Sequence, residues 1–237
     1  MVNLNIIQNL KKVYLSFSAP IRFFFTCWFY VALSLILVLM YSIIQVLIFN
    51  TMHSINAMTH NIDLSCITGI LIICLVYYVV LKTMNHFKYQ RAITKLKSKK
   101  VWVEIVFWLL FVKVSQVAIV LCSKSLLHTT NQDTLNKIFT QNTLGACFVI
   151  LLSVLLAPLC EEFIFRWLAF KIVKPGWLAF LSGFLGFVLL HSPNNLGAWI
   201  IYGIMSLALT ANYYRNGYKA SYLLHFLINL TAIAIAL

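Results

Sequence analysis

Leu155-Leu156-Ala157-Pro158-Leu159-Cys160-Glu161-Glu162-Phe163-Ile164-Phe165-Arg166-Trp167 places two adjacent carboxylates inside an apolar run that extends from Thr143 to Val173. The chain has five acidic residues in 237, so the doublet is no accident of composition. An ionisable side chain at membrane depth costs about 2.5 to 3.5 kcal/mol on insertion scales, and by default it marks a function. Neighbouring carboxylates in a low dielectric repel one another, so a positive partner becomes close to obligatory. Arg166 stands four residues after Glu162, one helical turn along the same face, and can neutralise it. Glu161 points about 100° away, toward a different neighbour. The doublet divides into a supporting carboxylate, Glu162 with Arg166, and a chemically free one, Glu161. The bland alternative is a buried charge network that only locks two helices together.

Outward from this stretch, the composition is 62% hydrophobic and 10% charged, far from the soluble average, so lipid is the main solvent. A crossing needs roughly 20 apolar residues, and the runs that qualify lie near Phe23 to Phe49, Leu64 to Leu81, Val101 to Cys122, Thr143 to Val173, Gly176 to His191, Leu196 to Tyr213 and Ala220 to Leu237. None alternates with period two, which excludes a barrel. The expected fold is all-α, a polytopic transmembrane bundle of about seven to eight helices enclosing an intramembrane cavity. It reads as one membrane domain over 1–237, with N-terminal helices and a basic loop in 1–142 and the helices carrying the polar groups in 143–237.

The formal net charge of +13 does not point to nucleic acid. Seven basic residues (Lys82, Lys88, Arg91, Lys95, Lys97, Lys99, Lys100) share one loop between apolar segments, as cytoplasmic retention requires. With Lys11, Lys12 and Arg22 ahead of the first crossing, this puts the N-terminus in the cytoplasm and, by alternation, the C-terminus outside. Lys124 and Lys137 run against that pattern. The loop Ser123 to Asn142 is the most soluble-looking stretch and has room for a short amphipathic helix. The six cysteines lie in or beside apolar runs without a CxxC pair, and read as reduced packing residues. No cleavable signal peptide is visible.

Three further polar groups sit in the later crossings. His191 ends Phe187-Val188-Leu189-Leu190-His191, and His225 is followed one turn later by Asn229, on the same helix face. Singly, such residues are more often interhelical hydrogen bonds than catalysts. Together with Glu161 they supply a carboxylate, two imidazoles and an amide, the groups that hydrolysis of a peptide bond needs. A carboxylate takes a proton from water, an imidazole orients that water, and two fixed donors hold the oxyanion. Straight-helix counting leaves these groups at different depths, with Pro158 and Pro193 as the places where the depths can shift.

The residues Glu161-Glu162-Phe163-Ile164-Phe165-Arg166, Phe187 to His191 and His225 to Asn229 resemble, complete and in order, the EExxxR, FxxxH and HxxxN signatures of the CPBP family, the CAAX proteases and bacteriocin-processing enzymes also called Abi or Rce1-type intramembrane peptidases. From composition the acidic motif is expected about 0.008 times by chance and each of the others about 0.4 times, so the first carries the inference. The likeness covers roughly the last hundred residues. It implies about eight helices around a cavity, Glu161 as general base, His191 helping to activate water, His225 and Asn229 as the oxyanion site, and Glu162 with Arg166 in support. It implies as substrate a prenylated C-terminal peptide, a bacteriocin or pheromone precursor, or another short membrane-associated peptide. HExxH is absent, so no cofactor is expected, with zinc the alternative if the metalloprotease label given to the family applies.

Two rivals belong to other classes: a transporter or proton relay, which also buries Glu and His, and a noncatalytic immunity factor or scaffold on the same fold. Lys113, a further intramembrane charge, is open to three readings: facing the cavity, snorkelling, or pairing structurally. The expected partners are a peptide or lipidated peptide and the bilayer, without nucleic acid; no oligomeric state is legible. The Lys-, Ile- and Asn-rich usage suggests an AT-rich bacterial genome and a multi-pass protein of the bacterial cell membrane.

Overall fold

A computed structural model gives the fold for residues 98–122 and 150–236 except 174–175, together with short stretches and single positions before residue 97. The fold is all-α, a helical membrane bundle, and no strand occurs among the described residues. In lipid only a helix satisfies its own backbone groups. The first long element, α1 (Lys99–Cys122), has 24 residues and, at 1.5 Å per residue, reaches about 36 Å, enough to cross a bilayer. Its outward stripe of Val103, Val106, Phe107, Leu110, Val114 and Val117 is apolar and exposed, a surface suited to acyl chains.

The segment carrying the acidic doublet is one rod whose register changes along its length. A π-helical turn (Leu152–Leu156) leads into α2 (Ala157–Glu162), a second π-helical stretch (Phe163–Leu168) and α3 (Ala169–Ile172). Pro158 accounts for the first change. It has no N–H and its ring crowds the preceding turn; the turn widens, and the Ala157 N–H bonds back five residues to the Leu152 carbonyl. α4 (Gly176–Leu190), 15 residues long, packs on the second π stretch. A Cβ at Gly183 would run into the Phe165 carbonyl oxygen, and one at Gly186 would lie 3.0 Å from the Phe165 ring, so glycine is what permits this approach.

α5 (Leu196–Asn216) opens on Asn195, whose side chain accepts from the Ala198 N–H at 2.8 Å. It closes on Gly217, whose φ of 84° lies in the left-handed region that favours glycine and turns the chain directly into α6 (Tyr218–Ala236). The core joins Ile105 and Val112 of α1, Phe187 of α4, Ile201, Met205 and Leu209 of α5, and Leu224 and Ile228 of α6. α1, α5 and α6 are each long and apolar enough to span a membrane.

The expected crossings from Val101, Gly176, Leu196 and Ala220 coincide with α1, α4, α5 and α6, and that from Thr143 with the rod as far as it is described. α5 continues three residues beyond the Tyr213 at which apolarity ends, because Arg215 and Asn216 are anchored on Glu104 of α1. The crossings expected at Phe23 to Phe49 and Leu64 to Leu81 lie mostly outside the described residues, and the loop Ser123 to Asn142 entirely so.

Candidate active site

Glu162 is fully buried and its oxygens are engaged from its own rod and from α6. Oε1 accepts from Arg166 Nη1 at 2.9 Å and from His225 Nδ1 at 3.0 Å, and Oε2 meets the Ser221 hydroxyl. Arg166, equally buried, reaches α5 as well: Nε donates to Thr210 Oγ1 at 3.4 Å and Nη2 to Ser206 Oγ at 3.3 Å. Its guanidinium lies 4.5 Å from the centre of the Phe187 ring. A buried ion pair is tolerable only when its remaining donors and acceptors find partners, and these neighbours supply them.

Glu161 is placed differently. Its Oε2 has no hydrogen-bond partner among the described residues, and His225 Nε2 lies 3.7 Å from it, too long for a direct hydrogen bond. The two carboxylates therefore divide as their helical angles predict: Glu162 takes the arginine and Glu161 turns toward the imidazole of His225. The imidazole between them is oriented by Glu162. A carboxylate accepts, so Nδ1 of His225 carries the proton, and Nε2 is turned toward Glu161.

Asn229 lies one turn beyond His225, where Nδ2 donates to the Ser153 carbonyl at 2.7 Å. The rod explains why that carbonyl takes a side-chain donor. The Ala157 N–H, its α-helical partner, is committed to Leu152, and the next position is Pro158, which has no N–H. Tyr222 and Tyr218 likewise donate to the carbonyls of Leu155 (3.4 Å) and Leu159 (3.0 Å). One face of α6 thus holds the irregular helix that carries the doublet.

His191 sits just past α4, its Nδ1 2.8 Å from the Phe187 carbonyl. Because a carbonyl only accepts, Nδ1 holds the proton and Nε2 is the acceptor of the neutral ring. The ring is stacked between Phe187 (centroids 4.5 Å) and Tyr202 (4.4 Å). No hydrogen bond joins it to Glu161 among the described residues; its link to the centre is Phe187, which also touches His225 at 5.7 Å and underlies Arg166. The three motifs thus meet at this phenylalanine.

Sequence reasoning did not single out Tyr202, Ser206, Thr210, Ser221 or Ser153. A signal for most of them was present: Tyr202, Ser206 and Thr210 recur every four residues in α5, as do Ser221, His225 and Asn229 in α6. Each set forms a polar stripe along one face of an apolar helix.

As to metal, Glu162 is fully engaged by Arg166, His225 and Ser221. Among the described residues no group of three His, Cys, Asp or Glu side chains is placed to hold an ion, whereas a catalytic zinc takes three protein ligands. The donor set among the described residues does not fit zinc.

The described bundle thus brings together a buried Glu–Arg pair, a second buried carboxylate, the buried His225 and the half-buried His191. Residues 143–231 match the family model of the type II CAAX prenyl endopeptidase Rce1-like proteins. α1 and everything before it lie outside the match. The chain is also 37% identical over 121 residues to UPF0177 protein YvdC of Lactococcus lactis subsp. lactis (strain IL1403), a similarity covering 46% of this chain and 42% of that protein. The chain thus spans under half the length of this curated relative. No solved structure matches.

Proposed function

We propose that the chain is an intramembrane endopeptidase that cleaves a membrane-associated or lipidated peptide precursor with water activated by Glu161. One observation carries the reading: of two adjacent buried carboxylates, one is fully engaged and the other keeps an oxygen without a partner among the described residues, 3.7 Å from an imidazole nitrogen. In this mechanism Glu161 takes a proton from water as the oxygen attacks the scissile carbonyl carbon, and Nε2 of His191 accepts the second water hydrogen. The oxyanion is held by the His225 side chain and by the amide hydrogen of Asn229 not given to Ser153. Collapse breaks the C–N bond, and Glu161 returns the proton to the leaving amine.

No metal takes part in this reading. Cleavage is expected to survive exhaustive chelation, and loss of activity restored by zinc would overturn the metal-free route. The bacterial source of the relative and the basic loop support a multi-pass protein of the bacterial cell membrane with its N-terminus in the cytoplasm. The substrate class is a peptide or lipidated precursor, bacteriocin or pheromone precursors among them. The deciding experiment compares the peptides of cells carrying the wild type and Glu161→Ala. A precursor that persists uncut only in the variant is expected; identical peptide pools, or ion flux in liposomes without proteolysis, would end the reading.

A further inference from the structure

α1 lies outside the family match, yet it contributes a charge to the helix that carries His225 and Asn229. Lys113 is half-buried at the edge of the lipid-facing stripe of Leu110, Val114 and Val117, and its Nζ reaches across to the neighbouring helix, donating to the Ile228 carbonyl at 3.2 Å. No carboxylate lies within ion-pair distance of it among the described residues. A snorkelling lysine would carry its head toward the headgroups, and a structural pair would have an acidic partner. This ammonium instead holds the backbone of another helix, at the peptide unit immediately before Asn229.

We propose that Lys113 is a positioning residue of the site, fixing the rotation of α6 at Ile228 so that Asn229 stays on the Ser153 carbonyl. α6 is held on two neighbouring faces. Leu224 and Ile228 pack in the core shared with Ile105 and Val112 of α1, while Ser221, His225 and Asn229, about 100° round, meet the rod. The same Ile228 carbonyl accepts from Thr231 Oγ1 at 3.0 Å, and Thr231 also lies 2.7 Å from the Leu227 carbonyl, back-bonding of a kind that bends helices. The Lys113 contact holds that same carbonyl from the α1 side, at the residue next to the one whose amide direction matters.

The inference rests on the peptidase reading for its effect on turnover, but its geometry can be tested without it. The full chain is reconstituted in liposomes with 13C at serine carbonyls and 15N at asparagine side-chain amides, and solid-state NMR follows the Ser153–Asn229 coupling, assigned by its loss in Ser153→Ala. Lys113→Met is expected to abolish the coupling and Lys113→Arg to retain it. Should Lys113→Met fail to insert, Lys113→Gln takes its place. On the precursor whose cleavage depends on Glu161, Lys113→Met is expected to lower kcat about tenfold with KM within about twofold, and Lys113→Arg to recover most of the rate. Retention of the coupling in Lys113→Met overturns the inference. If no peptide depends on Glu161, the peptidase reading falls, and the coupling alone decides the role of Lys113.

Discussion

Two Glu–Arg pairs with the same N···O distance of 2.9 Å occupy opposite environments. Glu162–Arg166 joins two residues of one rod and is sealed from solvent at both ends; Glu104–Arg215 clasps α1 to the end of α5 with the arginine side chain 56% exposed. The buried pair has Ser206, Thr210, Ser221 and His225 around it, whereas the rim pair adds a hydrogen bond from Asn216. Distance says little about what an ion pair does. The surroundings decide whether removing one partner is absorbed by solvent or leaves a charge stranded.

The sharpest way to break the contrast is Arg166→Ala. It leaves Glu162 buried beside Glu161 without its cation, and a loss of about 3 to 5 kcal/mol is expected in denaturant unfolding of the reconstituted protein. The double change Glu162→Met with Arg166→Met should recover much of that stability and no activity; a single variant as stable as the wild type would remove the distinction. Glu161→Gln sharpens the comparison from inside the doublet. Turnover should fall about 10²- to 10⁴-fold, the range of a lost general base, while the unfolding midpoint stays near that of the wild type. A Glu161→Gln protein that still cuts precursor contradicts the division of roles.

Asn229→Ala comes next, with a stability loss of about 1 to 3 kcal/mol for leaving a buried acceptor without its donor. Turnover of the Glu161-dependent precursor should drop along with it. Asn229→Asp, which keeps the size but loses the amide donor, should behave like alanine in the turnover assay. Glu104→Gln is expected to be the mildest. Its effect on the melting midpoint should be small and should vanish as salt is raised and the screening length shrinks below about 8 Å; a large, salt-independent loss would place the rim clasp alongside the buried pair.

The fold was largely legible because lipid reduces the problem to apolar length: four crossings coincide with helices to within three residues. The Glu162–Arg166 pair and the shared face of His225 and Asn229 followed from helical periodicity alone. Contacts that depend on tertiary approach did not. Nothing in the spacing of HxxxN indicates that Asn229 answers a carbonyl on a helix that Pro158 has disturbed, or that His225 divides its two nitrogens between the two glutamates. Phe187 reads as a motif letter, yet Arg166, His191 and His225 all lie against its ring. Glu161 and His225, which straight-helix counting puts at different depths, approach to 3.7 Å on a rod that is not a straight α-helix.

The wide turns of that rod bear on how the protein tolerates small changes in length. Sliding a helix by one residue rotates everything beyond the slip by about 100°, which is also the angle between two consecutive side chains. In a rod that already holds π turns on both sides of residues 157–162, tightening one of them would bring Glu162 round to the bearing now held by Glu161. A doublet of identical acids in such a helix is in effect a two-tooth gear: whichever tooth faces His225, its neighbour is the same chemical group.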